Sequence, residues 1–410
     1  MRAYLLKKQT ISFILFFIFS NIFAQNNIKS IQLKTVDNNQ NALVVPLGKT
    51  LELSFDDIDG DQKEYTYKIE HMTFDWEPSD VFSNEYIDGF QENYITNYTN
   101  SFNTLQNYTH YKVQFPNSAT KITKSGNYIV SIINQEQQVV FKRRFTLYEN
   151  KTIIGATLLQ KRNTLQNKHK VAVQFTVNYN GHRINNPSQE IEVAIIQNNN
   201  WHTAITNSKP QFYKKNQLVY KHLNTTNFWS GNEYLNFDNK QLRASTVKIA
   251  NSERKQLYHS YLYSENRRDQ KSYTYNPDIN GQFVIRNIEA NNYNTEADYA
   301  WVHFSLNSNR ILNKKVFVYG AFNNFDLSAE NEMTYNSEAQ VYEASLLLKQ
   351  GFYNYTFATQ QAQNKPNLYE LNGSFSQTEN EYTIIVYQKA FGQNYYSAIG
   401  IGSTFSNPRQ

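Results

Sequence analysis

Residues 51–70 read LELSFDDIDGDQKEYTYKIE and contain two alternating segments on either side of an acidic turn. Apolar residues occupy every second position in 51–55 and again in 65–69. A period of two places apolar side chains on one face of a β-strand and polar ones on the other. The stretch therefore predicts two strands, with the bend between them at Asp59-Gly60.

The same pattern recurs along most of the chain. The further predicted strands are Tyr111–Phe115, Tyr128–Ile133, Val139–Leu147, Val171–Val177, Ile191–Ile196, Val316–Tyr319, Val341–Leu347, Tyr353–Phe357 and Tyr382–Tyr387. The 31 tyrosines and 27 phenylalanines suit half-buried strand surfaces, and no segment shows a convincing apolar stripe of helical period. The sequence predicts an all-β fold of tandem β-sandwich domains, immunoglobulin-like or early-set-like.

The length of the chain and its breaks in pattern predict several domains. At 410 residues the chain has room for two or three hydrophobic cores. We predict a signal peptide at 1–24, an N-terminal β-sandwich at 25–149, a middle β-rich domain with long loops at 150–310, a C-terminal β-sandwich at 311–395 and a polar tail at 396–410.

The first 24 residues have the three parts of a secretory signal peptide. Arg2, Lys7 and Lys8 give a positive start, residues 11–19 (ISFILFFIF) are almost purely apolar, and Ala24 precedes the expected cleavage site. The apolar segment is shorter than the roughly 20 residues of a membrane-spanning helix. We therefore expect export beyond the inner membrane, a periplasmic location and no direct membrane span.

The composition excludes several classes of protein. The chain has no cysteine, so it has no disulfide, no thiolate nucleophile and no lipoprotein anchor. The formal charge of +5 falls to 5 − 3 = +2 without the three cations of the signal peptide. No long run of Lys or Arg occurs, so we expect no nucleic-acid partner.

Catalytic motifs are also absent from the sequence. It contains no phosphate-binding loop, no dinucleotide fingerprint and no nucleophile elbow. The eight histidines, including His71 and His303 in strand-like text, show no compact metal-ligand spacing. We therefore predict no enzyme, with no catalytic, cofactor-binding or metal-binding residues, no cofactor and no small-molecule substrate.

The acidic run Asp56–Asp61 is the one candidate for a metal site. From Asp57 onward, carboxylates fall at the first, third and fifth positions of a calcium loop. Gln62 then replaces the required glycine, and Lys68 stands where a bidentate Glu is needed. A polar turn is the favoured interpretation, and calcium binding is the alternative.

The third predicted domain resembles the early-set sandwich of glycogen-binding modules. The resemblance rests on residues 316–325 (VFVYGAFNNF), 341–343 (VYE), 350–357 (QGFYNYTF) and 379–387. Phe325 stands where such modules carry a sugar-stacking tryptophan, and the segment has no tryptophan. A scaffold without the sugar site is favoured over a glycan-binding domain.

Several segments taken together resemble the plug protein of the type IX secretion system of Bacteroidota. The resemblance extends over nearly the whole mature chain and depends on the order of its parts. Those parts are LELSFDDIDGD (51–61), DWEPSD (75–80), EYIDGF (85–90), SFNTLQNYTHY (101–111), SGNY (125–128), RINNPSQEIEV (183–193), FWSGNEY (228–234), GQFVIRN (281–287), EADYAWVHFSL (296–306) and TENEYTIIVYQK (378–389).

The resemblance implies a periplasmic plug subunit that binds the wide outer-membrane translocon barrel (SprA/Sov-like) of the type IX system. The plug would seal the periplasmic opening of the barrel when no cargo is engaged, and its association with the outer membrane would be peripheral. The alternatives are a glycan-binding envelope protein that uses the third domain, and an envelope hydrolase with a dispersed site.

The loops between Leu242 and Tyr275 are the candidate contact surface, because they are rich in tyrosine and arginine. Their candidate residues are Tyr258, Tyr261, Tyr263, Arg267 and Arg268. An ordinary set of solvated loops is the alternative interpretation.

Overall fold

The structure, a computed structural model, describes residues 27–37, 43–163, 168–362 and 364–406. The predicted signal peptide at 1–24 lies outside these residues. Strands are the main regular structure of the described chain and its helices are single turns, which confirms the predicted all-β fold. Each strand predicted above overlaps an observed strand.

Helices contribute little to the described part of the chain. Its α-helices are the single turns α1 Ser83–Tyr86, α2 Pro187–Glu190 and α3 Tyr293–Glu296, and Ala321–Asn323 forms a 3₁₀ turn. No helix among the described residues has the length and hydropathy needed to cross a bilayer.

The first unit is a two-sheet sandwich. Its strands are β1 Ile28–Thr35, β2 Val44–Pro46, β3 Leu51–Asp57, β4 Thr66–Met72, β5 Ile87–Gly89, β6 Glu92–Tyr94, β7 Asn97–Asn100, β8 Thr109–Phe115, β9 Thr120–Ile122, β10 Gly126–Ile133 and β11 Val139–Tyr148. One sheet has the order β1-β3-β8-β7 and the other contains β11-β10-β4-β6. Alternate residues such as Leu53, Ile69 and Val130 meet in one core between the sheets.

The second unit is made from two separate parts of the chain. Its strands are β12 Ile153–Asn163, β13 Lys168–Asn178, β14 Ile191–Gln197, β15 Asn200–Ile205, β16 Phe212–Lys214, β17 Gln217–Tyr220, β18 Asn227–Trp229, β29 Asn380–Gln388 and β30 Ser397–Ser406. A sheet with the strand order β12-β13-β17-β16 packs against a sheet segment with the order β15-β14-β29-β30. Val173, Ile195 and Ile384 lie in the core between them.

The inserted unit lies between these two parts in sequence. Its strands are β19 Leu235–Asp238, β20 Ile249–Arg254, β21 Tyr258–Leu262, β22 Glu265–Asn266, β23 Phe283–Ile285, β24 Tyr299–Asn307, β25 Lys315–Tyr319, β26 Glu332–Asn336, β27 Val341–Lys349 and β28 Gly351–Gln360. One group of strands has the order β19-β28-β25 and another has the order β27-β24-β21-β20. β26 pairs with both β25 and β27, which joins the two groups into one continuous sheet around a shared core.

The units divide the chain differently from the predicted boundary at 310. β24 pairs with β27 from Tyr299↔Lys349 to Asn307↔Val341, so residues on both sides of 310 share one sheet. β29, predicted within the domain at 311–395, pairs with β14 of the second unit. The boundary was misplaced because pairing between distant segments leaves no mark on the local alternation of either one.

The predicted polar tail at 396–410 is a core strand over most of its length. β30 pairs with β29 from Asn380↔Ser406 to Gln388↔Ser397, and Ala398 and Ile399 are buried. β30 also pairs in parallel with β11 at Tyr148↔Ala398, so one sheet passes from the first unit into the second.

Candidate functional site

The acidic turn holds a lysine ammonium at its centre. Oxygens of Asp57, Asp59 and Asp61 lie within 4.8 Å of one another. Lys63 Nζ is 2.9 Å from Asp57 Oδ2 and 3.5 Å from Asp61 Oδ1, and it also contacts Asp59. Partial burial disfavours the ammonium, but the carboxylates of Asp59 and Asp57 outweigh this and raise the pKa of Lys63. This arrangement favours the predicted turn, and calcium binding stays an untested alternative.

Phe325 does not present its ring to solvent. It is 6% exposed and packs with Tyr234, Tyr319 and Ala358, with its ring centroid 5.4 Å from that of Tyr319. Sugar stacking needs an exposed aromatic face. The burial of the Phe325 ring therefore counts against the alternative of a glycan-binding third domain, and a scaffold without the sugar site stays the favoured interpretation.

The predicted contact residues between 242 and 275 have mixed surroundings. Arg268 donates to the Glu233 carbonyl at 2.8 Å and to Asn372 Oδ1 at 3.1 Å, so it holds the interior together. Arg267 is paired with Asp269 at 3.0 Å. Tyr263 is 55% exposed, whereas Tyr258 and Tyr261 are half-buried. The structure brings these five residues into no common exposed patch.

The two singled-out histidines are packed into the sheets. His71 is 3% exposed, contacts Ser79 Oγ through Nδ1 at 2.8 Å, and has its pKa lowered to about 4 by burial. His303 stacks on Tyr261 with centroids 4.2 Å apart and contacts His259 Nδ1 through Nε2 at 2.8 Å. Burial also lowers the pKa of His303. The contacts of His71 and His303 within the sheets therefore agree with a structural role for both side chains.

Asp56 lies at the interface between the first and inserted units. It is fully buried, and its carboxylate is 2.6 Å from His110 Nδ1, 2.7 Å from Lys349 Nζ and 2.7 Å from the Tyr299 hydroxyl. Burial disfavours its charge, but Lys349 and His110 outweigh this and keep the pKa of Asp56 below its usual value. The ammonium of Lys349 also lies 4.0 Å from the ring centroid of Tyr108. A buried ion pair thus joins residues 293 positions apart in sequence.

The interface between the first and second units is aromatic. Trp76 of the DWEPSD segment meets Trp201 edge to face at 4.8 Å. The Tyr387 hydroxyl donates to Asn127 Oδ1 at 2.8 Å, next to the parallel pairing of β11 with β30. The DWEPSD segment, which carries no chemical signature, therefore has a packing role.

The FWSGNEY segment, residues 228–234, carries the chain from the second unit into the inserted unit. Glu233 is 1% exposed and accepts hydrogen bonds from Tyr273 Oη and from Glu379 N, the latter at 3.2 Å. Burial raises the pKa of Glu233 to about 7. Trp229 packs on Tyr369 with ring centroids 4.1 Å apart. The crossing is held by buried polar and aromatic contacts.

A cleft of about 720 Å³ lies where the three units meet. Its walls come from β1 and β11 of the first unit, residues 199–202 of the second unit, and β24, β27 and residues 322–326 of the inserted unit. No local sequence pattern pointed to it, because each wall belongs to a different segment.

The outer edge of the first unit exposes aromatic side chains. Phe90 is 70% exposed and Tyr94 is 68% exposed, and both line a shallow depression with Glu64, Glu92 and Asn93. Large exposed aromatic side chains grouped on one surface are typical of sites that contact other proteins.

Residues 28–149 match the family model for the type 9 secretion system plug protein 1st domain. The first unit belongs to the type 9 secretion system plug protein family. The predicted resemblance to the plug family is thus confirmed over residues 28–149, which are called the plug domain below. The match supports a role in type IX secretion as an envelope-associated structural component. For the rest of the chain the family resemblance stays a prediction.

Most of the chain is similar to a solved protein structure. The crystal structure of a hypothetical protein from Parabacteroides merdae ATCC 43184 has 29% sequence identity and a TM-score of 0.88, over 93% of this chain and 98% of that one. Trypsin-activated alpha-2-macroglobulin from Escherichia coli gives 9% identity and a TM-score of 0.19 over 93% of this chain and 16% of that one, too low to indicate a common fold. No curated protein matches the sequence. The fold of the three units is therefore shared with the Parabacteroides protein.

Proposed function

We propose that this protein docks on the outer-membrane translocon barrel of the type IX system and closes its periplasmic mouth when no cargo is engaged. The observation that carries the proposal is the plug domain at residues 28–149, held in a body of three interlocked units. In this role the protein works in the periplasm, has no catalytic step and needs no cofactor.

The size and stiffness of the chain suit this role. A compact domain of the length of the plug domain has a radius of gyration of about 14 Å, so its body is roughly 35 Å across. A buried ion pair and a continuous sheet hold the plug domain to its neighbours. A body of this kind can obstruct a pore tens of ångströms wide, which a flexible loop cannot.

The depression around Phe90 and Tyr94 supports a docking surface on the plug domain. Phe90 belongs to the EYIDGF segment, and both rings are well exposed. A closure that must open again suits an interface of about 1,600 Å² rather than the larger, more apolar interface of an obligate complex. Exposed aromatic anchors supply much of the binding energy of such interfaces.

The test is a co-purification and permeability experiment in a type IX-secreting host. The tagged protein should co-purify with the outer-membrane barrel, and deleting its gene should make envelopes with idle translocons permeable to small dyes. The variant F90S/Y94S should lose co-purification at least tenfold and fail to restore the seal. The matched control is F391S in the second unit, where the exposed ring of Phe391 (91% exposed) is removed far from the plug domain in sequence.

Two results would reject the proposal. Unchanged dye permeability after gene deletion would remove the sealing role. Absence of the barrel from the purified wild-type protein would remove the docking role. A third result would reject only the proposed surface: if F391S and F90S/Y94S reduce co-purification of the barrel equally, the depression around Phe90 and Tyr94 is not the docking site.

A further inference from the structure

The cleft between the three units contains guanidinium groups without acidic partners. Lys29 in the cleft is paired with Glu330 at 3.0 Å, and His202 with Asp326 at 3.1 Å. Within the described ranges no carboxylate oxygen lies within 4 Å of a guanidinium nitrogen of Arg143 or Arg144. The cleft therefore keeps positive charge after its own ion pairs are formed.

Arg143 is the most notable of these cations. Its one hydrogen bond in the described structure goes to the Lys142 carbonyl at 2.8 Å, although a guanidinium has five N–H donors. Burial lowers the pKa of Arg143 to about 10, and the carboxylate of Asp326 offsets this only in part. The group still carries its charge at neutral pH and is half-buried, so leaving its donors without an anion has a cost.

Arg144 lies over an aromatic ring at the edge of the same cleft. Its guanidinium carbon is 4.8 Å from the ring centroid of Trp76, which in turn contacts Trp201. Guanidinium groups held on aromatic faces keep their in-plane donors free for an anion. Arg143 and Arg144 are consecutive on β11, so their side chains leave opposite faces of the strand, and both residues line the cleft.

The other walls are apolar and only partly covered. Trp201, Trp301, Phe322 and Leu347 line the cleft and are each half-buried. Asn324 next to them has a left-handed backbone, with φ of 58°, and closes the 3₁₀ turn Ala321–Asn323 at this wall. A volume of about 720 Å³ is within the range of about 300–1,000 Å³ that is typical of ligand-binding clefts.

We propose that this cleft binds a protein segment that carries a carboxylate beside apolar side chains, with Arg143 as the residue that binds the anion. Inorganic phosphate would leave the aromatic and aliphatic walls uncovered. An uncharged segment would leave the guanidinium unmatched. A carboxylate accepts two parallel N–H bonds from a guanidinium, which are among the stronger hydrogen bonds in proteins.

The segment would touch all three units at once, since each unit contributes a wall of the cleft. The site therefore differs from the Phe90 depression, which belongs to the plug domain alone. The site can be tested on the isolated protein, so the result does not depend on the sealing role.

The first experiment selects peptides on the full mature chain. A phage-displayed random dodecapeptide library is enriched on the wild-type protein, and the selected sequences are then made as free peptides. Binding is followed by intrinsic fluorescence, because two of the four tryptophans, Trp201 and Trp301, line the cleft. We expect peptides in which Asp or Glu stands beside apolar residues.

The second experiment measures which charge is needed. Replacing the acid of a selected peptide by its amide should weaken binding at least tenfold, as should R143Q in the protein, because each change removes one partner of a charge-assisted pair of hydrogen bonds. R143K should fall between R143Q and the wild type, which shows that loss of binding does not come from misfolding. The control R183Q changes an exposed arginine of the second unit and should leave binding within twofold.

Several outcomes would overturn the proposal. No enrichment, selected peptides without an acid, or equal binding to wild type and R143Q would each reject it. Laurate is tested alongside; if it alone shifts the tryptophan fluorescence in an Arg143-dependent way, the site binds an anionic amphiphile and the protein-segment proposal fails.

Discussion

Asp56 and Asp57 are neighbours in the chain, and their carboxylates face opposite sides of β3. Asp57 accepts a hydrogen bond from the Tyr65 hydroxyl at 2.8 Å and contacts Lys63, so it belongs to the local turn. Asp56 faces its cross-strand neighbour His110 and, beyond it, Lys349 of the inserted unit. Both are fully buried. Because successive side chains of a strand point to opposite faces, Asp57 takes part in the turn and Asp56 takes part in the contact between two units.

The Asp56–Lys349 pair predicts a large effect of a small change. D56N keeps the shape of the side chain but leaves the buried ammonium of Lys349 unmatched, and we expect a loss of about 3–5 kcal/mol in the free energy of unfolding. The measurement is urea unfolding at neutral pH. The control E330Q breaks the Lys29–Glu330 pair between the same units, and since Glu330 is 52% exposed in its side chain we expect less than about 1 kcal/mol.

A double variant checks that the effect comes from the pair. D56N with K349M should cost less than the sum of the two single variants, because the second change removes the unmatched charge. Additive losses would show that the two groups act independently. A D56N protein as stable as E330Q would contradict the assignment.

The C-terminal strand shows at the element scale how close packing selects small residues. A Cβ added to Gly400 would lie 1.9 Å from Thr152 Oγ1, and one added to Gly402 would lie 2.6 Å from Ile154 Cγ2. β12 therefore crosses β30 at a distance that only glycine permits at these two positions. The sequence Gly-Ile-Gly, which lies in the segment predicted to be a polar tail, marks a contact between strands.

This crossing predicts that G400A is harmful. The added methyl group would collide with Thr152, and overpacking of this kind costs about 1–3 kcal/mol. Thermal unfolding followed by circular dichroism provides the measurement. G155A in β12 is the matched control, since its nearest neighbour would be Thr176 Oγ1 at 3.6 Å, an ordinary contact. Equal melting temperatures for G400A and G155A would contradict the close crossing.

The crossing segment at 228–234 predicts a pH dependence of stability. Glu233 has a pKa of about 7 in the folded protein and about 4.3 when unfolded. Because the folded state holds this proton more tightly, the stabilising contribution is fully present below pH of about 4.3 and is lost as pH rises through 7. E233Q should reduce the decline in unfolding free energy between pH 4.5 and 8 by up to about 2–3 kcal/mol.

The pH prediction is measured by urea unfolding at several pH values on both proteins. Asp278, whose pKa burial raises to about 6, contributes a decline in the same direction in both, so the difference between them isolates Glu233. Parallel pH profiles for E233Q and the wild type would show that the carboxyl group is ionised at neutral pH in the folded protein.

At the scale of the whole molecule, the three units are joined by contacts that are buried and specific. The Asp56 pair joins the first and inserted units, the sheet through β11 and β30 joins the first and second, and the Trp229–Tyr369 contact joins the second and inserted. Domains linked only by small polar interfaces move independently by default. Here each pair of units has its own buried link, which supports a rigid body.

We expect calorimetry to show one main unfolding transition for the wild-type protein, since the units support one another. K349M should separate this transition into at least two, because it leaves Asp56 buried without its ammonium partner. E330Q should keep the single transition. Resolved transitions in the wild-type protein would show that the interfaces do not couple the units.

Local alternation was enough to predict the strands and the all-β class, and the order of several segments indicated the plug family, which the family model matches over residues 28–149. The alternation along 51–70 or 191–196 is a local pattern. It depends on which face of a strand is buried and not on which other strand it pairs with. Tertiary structure alone decided the partners. It placed β29 and β30 with β14, buried Phe325, turned Asp56 toward Lys349 and assembled the cleft around Arg143 from three units. The physical reason is that each of these contacts joins segments far apart in the chain, and their energy depends on distances that no local pattern of residues encodes.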